Sequence, residues 1–522
     1  DIEWARPFPW ALFDHVAVVS SGNPHEADVE ALDVGAAYVY LGAPGGPAAA
    51  PVWTVAGSQA GEQFGFSVAS AADANLDGYS DVMVSSPLTD LYTGGGNGDV
   101  ALAMDAGFVQ LFAGSSAGPG KFAFFGFYPS TVYQQMERRV FGYTIAPAGD
   151  TNGDGWPDLL MGRIPIEGSV GSARLETLAS APIWSAIGAN VDDRYSAAMS
   201  AAGDVNGDGF ADFIIGAPNL GSNDEGGALL YPGDWPWPAA PSWQTQGSAM
   251  DEHHGYSVAG AGDVNGDGFS DVLVGAFGYT NGEAGEGRVV AYYGGPNPTS
   301  EFKVWAVQSQ SFPLTQDGEN VGASVANLGD LDGNGRSELL IGCPGFDAGG
   351  KTDRGRALVY SGAEHGPDDW PAWIVDGEEA GDEFGSAVAN AGDVDADGFC
   401  DAVIGAPFFS GEQPTEGRAY LFRGGDPNLL LHPTASWFAE GQQAGAHFGA
   451  AVAGAGDVNG DGFADVLVGA PAFRAGEVGE GRAFLFPGGV SGLATAPLWV
   501  IDGEQALANF GAALDTAGDV DR

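Results

Sequence analysis

Acidic residues in this chain recur at a spacing suited to holding a cation. In Asp457-Val-Asn459-Gly-Asp461-Gly462-Phe463-Ala-Asp465, oxygen-bearing side chains stand at positions 1, 3, 5 and 9. Gly462, at position 6, lets the backbone turn back, because glycine takes positive φ without a Cβ clash. The carbonyl at position 7 is then free to face inward. Three carboxylates this close repel one another and resist ionising unless a cation shares them. An all-oxygen donor set on a flexible loop suits Ca2+, which accepts roughly six to eight oxygens. No His or Cys occupies a ligand position, as Zn2+ would favour. The first half matches the EF-hand loop, but the last acid comes at position 9 and not 12.

The same loop is written seven times. The candidate ligands are side chains at positions 1, 3, 5 and 9 and the main-chain carbonyl at position 7. They are Asp73, Asn75, Asp77, Tyr79 and Asp81, then Asp150, Asn152, Asp154, Trp156 and Asp158. Next come Asp204, Asn206, Asp208, Phe210 and Asp212, and Asp263, Asn265, Asp267, Phe269 and Asp271. The fifth set is Asp330, Asp332, Asn334, Arg336 and Glu338, and the sixth Asp393, Asp395, Asp397, Phe399 and Asp401. Asp457, Asn459, Asp461, Phe463 and Asp465 complete the series, and an eighth copy opens at Phe510. Successive loops start 54 to 77 residues apart. A catalytic carboxylate pair is normally unique in a chain, so near-copies point to metal.

The flanks FGAAVAGAG and DVLVGAP are short and rich in Gly, Val and Ala, as strands are. A third strand follows in each period (EGRAFLFPGG, GRALVYSG, GRAYLFRGG), and a fourth surrounds a tryptophan (PLWVIDGEQ, PAWIVDGEE, ASWFAEGQQ). Four short strands in about 65 residues is the size of one propeller blade.

The FG…DxNxDGxxD…GAP arrangement resembles the FG-GAP repeat of integrin α-subunit β-propellers and their bacterial relatives, over nearly the whole chain. The resemblance implies Ca2+ held between the first and second strands of blades, about seven ions in all, by the residues named above. It also implies a partner-binding face on the side opposite the metals. The loop at Asp330 departs from the pattern by ending in Glu338, a longer acid that would change denticity or affinity. The expected fold is therefore all-β: one domain over residues 1–522, a β-propeller of four-stranded blades, eight in number with seven as the alternative. Residues 1–60 hold three strand-like runs but no first strand, and FGAALDTAG within 510–522 supplies one. The two ends are thus expected to share one blade and close the ring.

Composition narrows the function. The net charge is −51, with 69 acids against 18 bases, whereas nucleic-acid binding needs a basic face. The longest uncharged run, 35–57, contains Pro44, Pro47 and Pro51 and reads as strand–turn–strand, not a membrane span. With neither an initiator Met nor a signal peptide, the sequence reads as a mature or trimmed chain. Cys343 and Cys400 sit at different heights in neighbouring repeats, so no disulfide is expected. Modest calcium sites fill in the millimolar calcium outside cells, which suits an extracellular, cell-surface or periplasmic location.

Two insertions interrupt the second period, at 88–106 and 121–140. Phe127, Tyr128, Arg138 and Arg139 in the latter are the candidate partner-binding residues, because aromatics beside Arg are favoured at interfaces. The competing reading makes Phe122, Phe124, Phe125 and Phe127 an ordinary fourth strand and edge cover. Trp235-Pro-Trp237 either stacks on a sugar or caps a turn. His254 takes the Phe place of an FG pair as a structural substitution, and Arg288, Arg356, Arg418 and Arg482 are each expected to pair with a nearby acid. Ser116, in G-x-S-x-G, lacks the strand–turn–helix context of a nucleophile elbow. The expected function is adhesion, protein interaction or structural assembly, with a protein or glycan ligand or other subunits as partner. The alternatives are a polysaccharide-acting, lyase-like enzyme and a sugar-binding lectin.

Overall fold

The computed structural model describes residues 141–518 except 165–169, 177–183, 235–239, 282–283, 297–303, 309–317, 426–429, 477, 504–508 and 513. Before 141 it describes 15–20, 36–40, 53–58, 62, 64–89, 91–94, 100–103, 107–115, 119–120, 123 and 125–127.

Among these residues the regular structure is entirely strand. Seven antiparallel four-stranded sheets follow one another in sequence order, making a β-propeller of four-stranded blades. Blade 1 is Val68–Ser70, Val82–Ser86, Phe108–Phe112 and Phe125–Phe127; blade 2 is Phe141–Gly149, Asp158–Arg163, Ser172–Glu176 and Trp184–Ile187. Blade 3 is Ala198–Gly203, Asp212–Ala217, Gly227–Tyr231 and Trp243–Gln246; blade 4 is Ser257–Gly262, Asp271–Ala276, Arg288–Tyr292 and Val304–Gln308. Blade 5 is Ser324–Gly329, Glu338–Cys343, Arg356–Tyr360 and Trp373–Asp376. Blade 6 is Ala387–Gly392, Asp401–Ala406, Arg418–Phe422 and Trp437–Glu440; blade 7 is Ala451–Gly456, Asp465–Ala470, Arg482–Phe486 and Trp499–Asp502. A further four-stranded sheet takes His15–Ser20, Ala36–Tyr40 and Trp53–Ala56 from one end of the chain and Leu514–Gly518 from the other. The insertion at 88–106 contributes a separate hairpin, Leu91–Gly94 with Val100–Ala103.

Burial follows position in the blade. Second strands such as Asp212–Ala217 and Asp465–Ala470 are buried along their whole length, so they read as continuous apolar runs. Fourth strands alternate, with Trp373, Trp437 and Trp499 inside and the next residue outside. Each joint is an apolar seam between two sheets, as where Leu273 and Val289 of blade 4 meet Leu339, Ile341 and Leu358 of blade 5. The buried tryptophans also reach across: Trp305, Trp373 and Trp437 donate Nε1–H to the carbonyls of Asp368, His432 and Ala494 in the following blade. Trp53 does the same to Gly120, at 2.7 Å.

The FG and GAP motifs meet at these joints. A Cβ on Gly405, in the GAP of blade 6, would stand 1.9 Å from the carbonyl oxygen of Gly449, in the FG leading into blade 7. Only glycine allows the backbones to approach so closely. The Phe of each pair fills the seam beneath, as Phe384 does against Tyr420 and Phe422.

On the face away from the acidic loops, the four recurrent arginines find acids as expected. Arg288 pairs with Glu252 (2.6 Å), Arg356 with Asp376 (2.5 Å), Arg418 with Glu378 (2.9 Å) and Glu440, and Arg482 with Asp502. An acid also recurs two residues ahead of the first residue of the FG site, which is Phe64, Tyr195, His254, Val321 or Phe384. Glu62, Asp193, Glu252, Glu319 and Asp382 are all buried. In four of these links the acid accepts amides of its own link, as Asp382 does from Glu378 and Glu379. Between blades 6 and 7 that place holds Ala446, and a cleft of roughly 530 Å3 opens along the joint, with Phe438, Gln442, Phe473, Arg482 and Thr495 among its walls.

Candidate metal centres

Each acidic loop joins the first strand of a blade to the second, and its turn is tied by its own side chains. In the loop at Asp457, Asp457 Oδ1 accepts the amide of Asp461 (3.0 Å) and Oδ2 that of Gly462 (2.7 Å), while Asp461 Oδ1 accepts that of Phe463 (3.1 Å). Position 9 does something different. Asp465 Oδ2 takes the amide of Val458 (3.0 Å), and Oδ1 takes that of Gly488 at the end of the third strand (2.8 Å). It therefore clamps the loop to the blade.

The two position-1 bonds recur in the loops at Asp73, Asp150, Asp204, Asp263, Asp330 and Asp393. The position-9 bond to the end of the third strand recurs at Asp81, Asp212, Asp271, Glu338 and Asp401, while Asp158 takes the amide of Thr151. Glu338 keeps both position-9 bonds despite its extra methylene, to Leu331 and to Gly362. At position 7 the amide donates to position 5 in all seven loops. The position-7 side chain lies against the preceding loop, which the sequence reading did not foresee. Phe210 covers Gly153, Phe269 covers Gly207 and Arg336 covers Gly266. The signal was present, since position 7 is aromatic in every loop but the one at Asp330.

Electrostatics separate position 9 from the rest. Asp81, Asp158, Asp212, Asp271, Glu338, Asp401 and Asp465 are fully buried. Burial first, and then repulsion from the acids at the other loop positions, push Asp81, Asp212, Asp271, Glu338, Asp401 and Asp465 up to about 7, against the pull of their backbone donors. A cation or a proton relieves that strain.

The donor set fits calcium. Carboxylate oxygens of Asp330, Asp332 and Glu338 converge within 4.8 Å of one another, as do those of Asp393, Asp395 and Asp401. Asp395 Oδ1 is buried with no hydrogen-bond donor facing it, a cost that a cation at that point removes. This loop carries one acid more than the others, and Arg423, at the end of the third strand of blade 6, pairs with Asp395 Oδ2. Ca2+ at these loops would be held by positions 1, 3, 5 and 9, and it would supply charge neutralisation and cross-linking of the turn.

Five stretches, 199–231, 254–292, 321–360, 384–422 and 448–486, match the FG-GAP repeat family model. Each runs from a first strand, or the FG before it, through its acidic loop to the end of the third strand. This is an FG-GAP-repeat propeller. Its curated relatives include integrin alpha pat-2 of Caenorhabditis briggsae, 29% identical over 46% of this chain and 21% of that protein. Integrin alpha-5 of Xenopus laevis is 31% identical over 41% and 20%, and integrin alpha-PS2 of Drosophila melanogaster 33% over 41% and 15%. The FG-GAP propeller thus spans about a fifth of the length of the integrin α relatives it matches. The solved Dos1 propeller aligns over 88% of this chain and 90% of its own, with a TM-score of 0.38 and 11% identity, too weak a likeness to argue from.

On the opposite face one candidate is corrected. Phe127 is buried against Met83, Val109, Leu111 and Phe141. It lies in the fourth strand of blade 1, paired with Val109, and faces the joint with blade 2, so it presents no surface to a partner. Tyr128, Arg138 and Arg139 lie outside the described residues, as do Phe122, Phe124, Ser116 and Trp235–Trp237. His254 is fully buried as a structural substitution, its Nε2 3.2 Å from the Tyr292 hydroxyl. Both cysteines are free, Cys343 buried and Cys400 half-buried. Among the described residues no helix is long and apolar enough to cross a membrane.

Proposed function

We propose that the chain is a calcium-stabilised propeller serving as a non-catalytic adhesion, protein-interaction or assembly module outside the cell, at its surface or in the periplasm. The carrying observation is the position-9 carboxylate, which is buried, clamps loop to blade, and faces two or three further acid or amide side chains. Seven such loops would each hold one Ca2+. The likeness to integrin α-subunits supports the interaction role. The repeated loops occupy one face with one design, which leaves the opposite face to carry a protein or glycan ligand or further subunits.

We also read the sheet built from both chain ends as an eighth blade that closes the ring. Leu514–Gly518 lies between the first strands of blades 7 and 1. Its seams are ordinary blade joints: Tyr38 and Phe510 with Leu467 and Leu485 on one side, Val39 and Trp53 with Val84 and Phe112 on the other.

The test is thermal unfolding with calcium and with excess chelator. Calcium that binds the native loops and not the unfolded chain adds about 2–3 kcal/mol per loop at a hundredfold excess over Kd. Chelation should lower Tm by about ten degrees or more, and an unchanged melting curve would falsify the reading.

A further inference from the structure

Adjacent acidic loops are joined to one another by main chain. The amide at position 8 of one loop donates to the carbonyl at position 1 of the loop before it. Ser270 donates to Asp204 (2.9 Å), Ala211 to Asp150 (3.0 Å), Ser337 to Asp263 (3.1 Å) and Ala464 to Asp393 (2.9 Å).

A second path runs through position 9. Asp271 Oδ1 accepts the amide of Gly294 at 2.7 Å. The next amide, of Gly295, donates to the Val205 carbonyl at 2.8 Å. The amide of Val205 in turn donates to Asp212 Oδ2, position 9 of the preceding loop, at 2.8 Å. The same three-bond relay leads from Glu338 through Gly362, Ala363 and Val264 to Asp271, and from Asp465 through Gly488, Gly489 and Val394 to Asp401. There is no slack in it. A Cβ on Gly488 would stand 2.3 Å from the carbonyl oxygen of Ala464 and 2.7 Å from that of Val394.

We infer that neighbouring loops bind Ca2+ as coupled sites. A cation that fixes the position-9 carboxylate of one loop also fixes, through this relay, one of the two amides that hold the position-9 carboxylate of the loop before it: Val205 for Asp212, Val264 for Asp271 and Val394 for Asp401. The inference rests on the calcium reading above. Coupling between binding sites is reciprocal, so each loop strengthens its neighbour in both directions. The loops at Asp150, Asp204, Asp263 and Asp330 form one joined run, the last three linked by both paths, and those at Asp393 and Asp457 form another. The loop at Asp150 has Pro157 at position 8, which has no N–H to donate. That natural proline shows the turn accepts one there, and it suggests a mild variant that leaves every ligand in place.

The experiment is hydrogen–deuterium exchange of the full chain, read peptide by peptide by mass spectrometry across a calcium titration. In the wild type every loop should gain protection as calcium rises. In Asp267→Ala the midpoints for 204–212 and 330–338 should move to higher calcium by about fivefold, the low end of ordinary site-to-site coupling, while 457–465 keeps its midpoint. Ser270→Pro should shift 204–212 and 263–271 by a smaller factor, and it carries the test if Asp267→Ala does not fold. Unmoved midpoints in the neighbouring loops, or an equal shift in all seven, would overturn coupling while leaving calcium binding intact. Loops that ignore calcium in the wild type would instead remove the calcium reading itself.

Discussion

The two faces of the propeller solve the same problem in opposite ways. On the loop face, seven turns use the same positions, the same backbone donors and the same buried acid, so each blade repeats its neighbour. On the link face the joints differ: Arg288 meets the link acid Glu252 and Arg418 the link acid Glu378 besides Glu440, whereas Arg356 pairs with Asp376 on its own blade. Between blades 6 and 7 no ion pair crosses the joint among the described residues. Arg482 stays on its own blade with Asp502 and stacks 3.8 Å from the Phe473 ring centroid. The loop face is uniform because the same side-chain-to-amide bonds set each turn. The link face is free to vary from joint to joint.

That contrast can be attacked from both sides. Chelation strikes only the repeated face and should have the largest effect, the ten-degree loss given above. Next is Glu252→Ala. This fully buried acid holds Arg288 and the amides of Ser248 and Ala249, and its removal should cost about 3 kcal/mol in denaturant unfolding. The same link between blades 6 and 7 manages with Ala446, so a loss below 1 kcal/mol would mean that the buried acids are dispensable and the joints more alike than they look.

Arg418→Met should cost about 1–2 kcal/mol, since Arg418 stacks 3.6 Å from the Phe409 ring centroid and binds acids of two blades. Arg482→Met should cost about half as much, because its partner Asp502 is solvated and on its own blade. Equal losses would erase the distinction between the two joints.

A smaller effect concerns pH. Burial, then Arg288, holds the His254 imidazole down at about 3, against about 6.5 in an unfolded chain. The unfolded chain takes up a proton that the fold refuses, so this contribution is complete above about 6.5 and is lost as pH falls towards 3. His254→Phe places there the residue that Phe64, Phe141, Phe384, Phe448 and Phe510 supply at the equivalent positions. Its Tm should gain on the wild type as pH is lowered from 7 to 5, and parallel curves would show that the histidine does not titrate on unfolding. The smallest change expected is Gln442→Glu, which copies Glu378 into the open joint and should stabilise by about 0.5 kcal/mol at most.

Much of the architecture could be read from residue order alone, for a physical reason. A repeat that closes on its own neighbours must carry every contact in its own sequence. The acids at 1, 3, 5 and 9, the turning glycine and the strand patterns therefore stood in plain view, and with them the blade and its acidic loop face. Where a contact joins two blades, residue order carries no distance between the partners. The seat of Phe269 on Gly207 and the Val205 relay emerge only when the blades are set side by side. Phe127 shows the converse. Its type and its aromatic neighbours suggested a surface, and strand register turned it inward. Local chemistry was fixed by spacing along the chain; which side chains meet across a joint, and which are left open to a partner, was decided by how the sheets pack.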